Sequence, residues 1–78
     1  GDGGVRVQQV GPGMAAEAGV QAGDILLSLN NQTIKNAAQL QQLVKTLPAG
    51  KRVPLLIKRD TGSLYLALKV PAGGQQPG

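Results

Sequence analysis

The stretch that decides the fold is GMAAEAGVQAGDILLSLNN, residues 13–31. Its first part, residues 14–18, consists of good helix formers, and Gly19 follows at the position where a helix C-terminus favours glycine. A further turn is indicated at Gly23 and Asp24, because both residue types are common in turns. These residues predict a short helix that ends at a glycine and leads through a tight turn into a strand.

Residues 25–29 continue the same stretch as a strand. Alternate residues of a strand point to opposite faces of its sheet. We therefore expect one face with Ile25, Leu27 and Leu29 and the other with Leu26 and Ser28. The following Asn30-Asn31 tolerates the positive φ of a tight hairpin turn, so the chain should return in an extended segment at Thr33 and Ile34.

The clearest helical pattern lies between Asn36, a good N-cap residue, and the terminating Pro48 and Gly50. The apolar residues between them recur at helical spacing, namely Leu40, Leu43, Val44 and Leu47. This spacing predicts a helix with one apolar side that packs on the core.

Three more strands are indicated by aliphatic residues at every second position. One strand begins with Val53, Leu55 and Ile57. In the next strand, Leu64, Leu66, Leu68 and Val70 alternate with Tyr65, Ala67 and Lys69, and residues 60–62, Asp-Thr-Gly, are typical of the hairpin turn between the two. Residues 5–8, Val-Arg-Val-Gln, show the same pattern before the breaker Gly-Pro-Gly at 11–13.

This order of elements indicates one domain of the α+β class, mainly β. We expect a small, partly open antiparallel β barrel or sandwich of about five strands, flanked by two helices, with one sheet edge beside the longer helix left unpaired. Residues 1–70 should form this domain. Residues 71–78, PAGGQQPG, are poor in apolar residues and rich in glycine, proline and glutamine, which predicts a flexible tail.

The composition excludes several classes of function. The 78-residue chain has no histidine and no cysteine, so neither a Ser-His-Asp nor a Cys-His nucleophilic system can form from it. Its four carboxylates are dispersed in turns and in the short helix, so we expect no catalytic residue, no metal site and no cofactor. The net charge is +4, but the basic residues are scattered, which argues against a nucleic-acid partner. No apolar stretch is long enough for membrane insertion.

Binding through the backbone remains. An unpaired strand edge can accept an extended peptide as an added strand. A glycine-rich turn at the head of that strand can present adjacent N–H groups to a terminal carboxylate. Both features coincide at residues 2–7, Asp-Gly-Gly-Val-Arg-Val, which makes this segment the first candidate for a binding site.

Residues 3–44, GGVRVQQVGPGMAAEAGVQAGDILLSLNNQTIKNAAQLQQLV, resemble the bacterial type of PDZ domain, especially those of the HtrA (Deg) family of periplasmic serine proteases. The resemblance extends to about residue 70, and its most specific part is the Ala-Gly at 18–19 followed by Gly-Asp-Ile at 23–25. It implies a PDZ fold and a non-catalytic, peptide-binding module of a protease of the periplasm or cell envelope. The second PDZ domain of such a protease is one interpretation.

The resemblance also implies which residues bind. A peptide carboxylate would lie at Gly3, Gly4 and Val5. The peptide side chains would lie in a groove formed by Val5, Arg6, Val7, Ala37, Leu40, Gln41 and Val44. The implied partners are peptides or unfolded segments with hydrophobic C-termini, together with other domains or subunits of the parent protease. Asp2 and Gly3 depart from the family's loop, where a large residue and an aliphatic residue precede Gly-Val, and the carboxylate of Asp2 would repel an incoming C-terminus.

Two alternatives stay open on the sequence alone. The same edge can serve as a structural docking surface for oligomer assembly, without peptide capture, a role that the resemblance associates with the second PDZ domain. Related PDZ modules also occur in tail-specific proteases, site-2 proteases and secretion components of the bacterial envelope.

Overall fold

The computed structural model describes residues 4–71, and this part of the chain contains five strands and two helices. In chain order they are β1 (Val5–Arg6), α1 (Met14–Ala18), β2 (Ile25–Leu29), β3 (Gln32–Thr33), α2 (Ala37–Lys45), β4 (Arg52–Arg59) and β5 (Gly62–Lys69). The prediction of a mainly β α+β fold with five strands and two helices is confirmed. The predicted tail, residues 71–78, lies outside the described residues except for the exposed Pro71.

The strands form one open antiparallel sheet. Its order is β1-β2-β4-β5, and β3 pairs with β2 beside this path. β4 and β5 form a long hairpin in which Leu55 lies opposite Leu66 and Arg59 lies opposite Gly62 next to the turn. Helix α1 packs against β5, whereas α2 reaches the core through its buried Leu43. Among the described residues, β1 and β5 are therefore the outer strands of the sheet.

Both helices have the terminal residues that the sequence predicts. Gly19 closes α1 with φ 102°, a left-handed conformation that glycine adopts without a steric penalty. The Asn36 Oδ1 atom accepts a hydrogen bond from the Gln39 N–H (2.8 Å), which caps α2. The Gln39 side chain also donates to the Thr33 carbonyl (2.9 Å), so it holds the connection between β3 and α2. No helix within residues 4–71 is long and apolar enough to cross a membrane.

The prediction of which β2 residues face the core is wrong. A bulge between Leu26 and Ser28 shifts the register of β2 against β4, so Leu26 and Leu29 both lie opposite buried residues of β4. These two leucines pack on the core, and the expectation that Ile25, Leu27 and Leu29 share a face does not hold. The reason is that a bulge adds one residue to a strand and so inverts the alternation on one side of it.

The core lies on the inner face of the sheet, defined here as the face that carries Leu55 and Ile57. Its buried apolar residues are Val20, Leu29, Ile34, Leu43, Val53, Leu55, Ile57, Leu68 and Val70. All of them are aliphatic, and the only aromatic residue of the chain, Tyr65, is 63% exposed. The apolar core is therefore built from aliphatic side chains alone.

One buried ion pair ties three elements together. Asp24 is 3% exposed, and its Oδ1 and Oδ2 atoms accept hydrogen bonds from Nε (2.8 Å) and Nη2 (3.1 Å) of Arg59 at the end of β4. The Gln21 N–H also donates to Asp24 (2.8 Å), and Arg59 donates to the Gly19 carbonyl at the end of α1. The hydrogen bonds from Arg59 hold the pKa of Asp24 below its ordinary value, although burial acts in the opposite direction.

Candidate functional site

A groove of about 620 Å³ lies between the first strand and α2. One wall is formed by residues 5–15, which comprise β1, the connection to α1 and the first residues of α1. The other wall is formed by Leu40 and Val44 of α2. The floor consists of core residues from the inner face of the sheet, Val20, Leu26, Leu29, Leu55 and Leu68. It is larger than two other depressions of the described residues, which have volumes of about 270 and 340 Å³.

The wall on the β1 side has a free strand edge. The Val7 N–H donates to the Asp24 carbonyl (2.8 Å), and the Val7 carbonyl accepts from the Gly23 N–H (2.7 Å). Both polar backbone groups of Val7 therefore point toward β2. Because these directions alternate along a strand, the N–H and carbonyl of Arg6, the last residue of β1, point away from β2. This edge can form main-chain hydrogen bonds with an added strand.

The wall on the α2 side contributes apolar side chains. Leu40 is half-buried, and Val44 is 38% exposed, an unusual degree of exposure among the large apolar residues of the described chain. Because Val44 also lines the groove, its exposed apolar surface is accessible to a ligand there. Ala37 and Gln41, which the resemblance assigns to the groove, are exposed and do not line it.

The resemblance implies a carboxylate-binding loop at residues 3–5. The structure describes Gly4 and Val5 of this loop, whereas Gly3 lies outside the described residues. The N–H of Gly4 donates to the Ile34 carbonyl (2.7 Å), so this amide already has a partner. Val5 lies opposite Leu26 in the ladder of β1 and β2 and also lines the groove. A carboxylate that used the Gly4 amide would have to replace the bond to Ile34.

Several lining residues were missed by the sequence reasoning. They lie before and around the Gly-Pro-Gly breaker and in the core, at Gln8, Gln9, Val10, Gly11, Pro12, Gly13, Met14, Ala15, Val20, Leu26, Leu29, Leu55 and Leu68. Val10 and Met14 flank the breaker and are only half-buried. These two large apolar residues lie on either side of a turn and belong to no periodic pattern. In the sequence, this was the feature that could have indicated a cavity beside the turn.

The groove is apolar, with a single charge. Arg6 is the only ionisable residue among the described residues that line it, and its side chain is exposed. The rest of the lining is aliphatic, glycine, proline or glutamine. This chemistry suits an extended apolar segment, and the guanidinium of Arg6 favours a ligand that carries a negative charge.

Comparison with known proteins gives a match to a family and to its members. Residues 6–59 match the family model described as PDZ domain. The chain is 44% identical over 68 residues to a probable periplasmic serine endoprotease DegP-like of Hahella chejuensis. It is 43% identical over 70 residues to one of Halomonas elongata, and 36% identical over 73 residues to the periplasmic serine endoprotease DegP of Salmonella typhimurium. These alignments cover 87–92% of this chain but only 14–15% of the relatives.

Two solved structures have the same fold. The solution structure of GtR34C from Geobacillus thermodenitrificans has a TM-score of 0.70 at 29% identity, over 96% of this chain and 86% of that one. The HtrA-type protease AlgW, a variant named S227A solved with a decapeptide, has a TM-score of 0.69 at 22% identity and aligns over 83% of this chain and 21% of its own. The expected resemblance to HtrA-family PDZ domains is thereby confirmed. With its open five-stranded sheet, two helices and matching residues 6–59, the chain belongs to the PDZ domain family.

Proposed function

We propose that this chain is a non-catalytic, protein-binding PDZ module of an HtrA-like serine protease. It binds hydrophobic C-terminal or extended segments of partner proteins by strand addition between β1 and α2. The observation that carries this proposal is the apolar groove of about 620 Å³ that adjoins the free edge of β1 at Arg6.

The relatives support a location and a parent protein. They are named periplasmic serine endoproteases, and this chain corresponds to about one-seventh of their length. We infer that the protease chemistry belongs to other parts of such a protein and that this module works in the periplasm. The AlgW structure was solved with a decapeptide, which supports peptide binding as an activity of that HtrA-type protease and, by likeness, of this module.

The expected affinity of the groove for a peptide is modest. Burial of one aliphatic side chain contributes about 1.5–3 kcal/mol. Each main-chain hydrogen bond to the free edge of β1 adds a net contribution of about 1 kcal/mol. After the cost of association, we expect a Kd on the order of micromolar or weaker.

The proposal is tested on α2 with two matched variants. Val44 lines the groove, whereas Gln41 is exposed on the same helix and does not line it. With a fluorescently labelled decapeptide that ends in three aliphatic residues, Val44→Asp should weaken binding about tenfold, because about 1.5 kcal/mol of apolar contact is lost. Gln41→Asp should leave the Kd close to that of the unmodified chain. Equal effects of the two substitutions would refute the groove as the binding site.

The role of the terminal carboxylate needs a separate test. The prediction that Gly3, Gly4 and Val5 bind it requires tighter binding of the free acid than of the C-terminally amidated peptide. The bond from Gly4 to Ile34 argues for a small difference, since that amide is already used. If Arg6 supplies the attraction instead, Arg6→Gln should remove the difference between the two peptides. Persistence of the full difference in Arg6→Gln would favour the loop.

The engaged Gly4 amide also favours a second candidate, a docking domain for oligomer assembly that uses the same edge without capturing free peptides. This candidate predicts no measurable binding of either decapeptide. It further predicts a smaller oligomer for the full-length protein with Val44→Asp, as measured by light scattering after size-exclusion chromatography. An unchanged oligomer would exclude it.

A further inference from the structure

The outer face of the β4–β5 hairpin has a composition unlike that of the inner face. Its side chains are Arg52, Pro54, Leu56 and Lys58 from β4 and Ser63, Tyr65, Ala67 and Lys69 from β5, because alternate residues face the core. Tyr65 lies opposite the half-buried Leu56, and Pro54 lies opposite Ala67. We call this set the outer face. Its centre is apolar and contains Tyr65, the most exposed large apolar side chain of the described residues.

The edge of β5 beside this face has no strand partner within residues 4–71. The Val70 N–H donates to the Lys51 carbonyl (2.8 Å), so even-numbered residues of this strand direct their backbone groups toward β4. Odd-numbered residues from Ser63 to Lys69 therefore direct theirs outward. Pro54 of β4 lies opposite Ala67, and its carbonyl accepts from the Asn30 N–H (2.8 Å) on the side away from β5. This direction is the one that the alternation predicts for a residue paired with an odd-numbered residue of β5.

The charges around the outer face have one sign. Arg52, Lys58 and Lys69 surround its apolar centre, and all three are exposed. The described carboxylates lie elsewhere: Glu17 is on α1, Asp24 is in the inner-face ion pair, and Asp60 is in the hairpin turn. A ligand of this face gains by carrying negative charge, whereas two copies of the chain placed face to face would oppose like charges.

A depression of about 340 Å³ lies on the outer face. Its lining includes Arg52, Pro54, Tyr65 and Ala67, so it joins one of the cations to the aromatic ring and to the free edge. The ring, the cation and the outward backbone groups are thus available to one ligand at the same place. This face is opposite the groove, whose floor contains the inner-face residues Leu55 and Leu68.

We propose that the outer face and the free edge of β5 dock an extended acidic segment of a partner protein. The segment adds a strand along Ser63–Lys69, its carboxylates pair with the cations of the outer face, and an apolar side chain packs on Tyr65. An anionic membrane surface would satisfy the cations but has no backbone groups for the outward N–H and carbonyl groups of the edge. A protein strand satisfies both.

The probe is a capped heptapeptide that alternates glutamate and valine, titrated into the 78-residue chain with detection of backbone amides by NMR. We expect chemical-shift changes along residues 63–69, and weaker binding as salt is raised. The matched peptide with lysine in place of glutamate should not bind.

Two variants separate strand addition from simple charge attraction. Ala67→Pro removes an N–H that points to the free edge and not to β4, so it should abolish binding of the acidic peptide while the melting temperature shows that the domain stays folded. Ala67→Ser should bind like the unmodified chain. Tyr65→Ser should weaken binding at least fivefold without loss of fold, because the ring is exposed.

Four results would overturn the proposal. They are shift changes at residues 5–13 and α2 instead of β5, equal binding by Ala67→Pro, a concentration-dependent dimer formed through β5, and binding of phosphatidylglycerol vesicles without binding of the peptide. Failure here leaves the groove proposal intact, since the two sites lie on opposite faces and give shift changes in different residues.

Discussion

At the scale of single residues, Asp24 combines burial with a paired charge. Its carboxylate receives three hydrogen bonds, two of them from Arg59. Removal of a carboxylate from water is costly, and these bonds are what make a buried aspartate tolerable at this position. The sequence indicates only a turn residue here, because nothing near Asp24 in the chain reveals that Arg59 will reach it.

The lowered pKa of Asp24 predicts a loss of stability in acid. A carboxyl whose pKa is lower in the folded state stabilises that state above its unfolded pKa of about 3.9. This contribution is lost as the pH falls through the folded value. The free energy of unfolding in urea should therefore fall progressively as the pH is lowered below about 5, and Asp24→Asn should flatten this fall.

Asp60→Asn is the matched control, since Asp60 is exposed in the hairpin turn. It should keep the pH profile of the unmodified chain. If Asp24→Asn and the unmodified chain lose stability in parallel throughout this pH range, Asp24 does not contribute in the way proposed.

Gly4 is required by its conformation and by its surroundings. Its φ is +89°, and an added Cβ would lie 2.9 Å from Ile25 Cγ2 and 3.2 Å from the Leu26 carbonyl oxygen. Gly4→Ala should therefore lower the free energy of unfolding by about 1–3 kcal/mol. Gly11→Ala, where no atom lies within 4 Å of an added Cβ, should be close to neutral. Urea unfolding measures both, and equal effects would contradict this account of Gly4.

At the scale of elements, α2 forms a groove wall whose position depends on its N-terminus. The Asn36 cap and the Gln39 side chain hold the start of the helix next to β3, one and two turns before Leu40 and Val44. The capping pattern was predictable, since asparagine before an apolar repeat is a common helix start. The bonds of the Gln39 side chain were not predictable, because glutamine is common at many helical positions.

Loss of this cap should affect both stability and binding. Asn36→Ala should cost about 1 kcal/mol of unfolding free energy and should weaken peptide binding, because the start of α2 frays. Asn36→Asp preserves an acceptor at the cap and should restore both quantities. Circular dichroism during urea unfolding and peptide titration are the measurements. Unchanged stability in Asn36→Ala would show that the cap does not support the groove wall.

β2 shows where sequence patterns stop being informative. Residues 25–27 are all apolar, so their alternation does not reveal which of them face the core. The bulge between Leu26 and Ser28 decides this by pairing with β4, a strand about 30 residues later in the chain. By contrast, large aliphatic residues recur at every second position from Val53 to Ile57 in β4 and from Leu64 to Leu68 in β5, and the faces and hairpin pairing of these strands were predictable.

At the scale of the whole molecule, most of the fold but only five of the eighteen groove-lining residues follow from the sequence. Val5, Arg6, Val7, Leu40 and Val44 are predicted from the sequence and do line the groove. Ala37 and Gln41 do not line the groove. Spacing along a helix shows which residues share one side of it, but it does not show which side faces the sheet. Val10, Met14 and the core floor belong to the groove only through tertiary packing, which no local pattern contains.

The resulting molecule has two faces with different chemistry. The inner face is aliphatic and opens into a groove with one cation, while the outer face carries three cations around an exposed tyrosine and adjoins a free strand edge. We therefore propose a module with two binding surfaces: one for apolar segments and one for acidic segments. The two proposals are independent, because their ligands contact opposite faces of the sheet and different strand edges.

The central claim is that the groove between β1 and α2 binds an extended apolar segment. The most direct test is a titration of the isotope-labelled chain with the decapeptide that ends in three aliphatic residues, followed by NMR assignment of the amides that shift. The claim predicts shift changes concentrated at residues 5–15 and around Leu40 and Val44, with little change along β5. Binding with shift changes confined to β5, or no change at millimolar peptide, would contradict it.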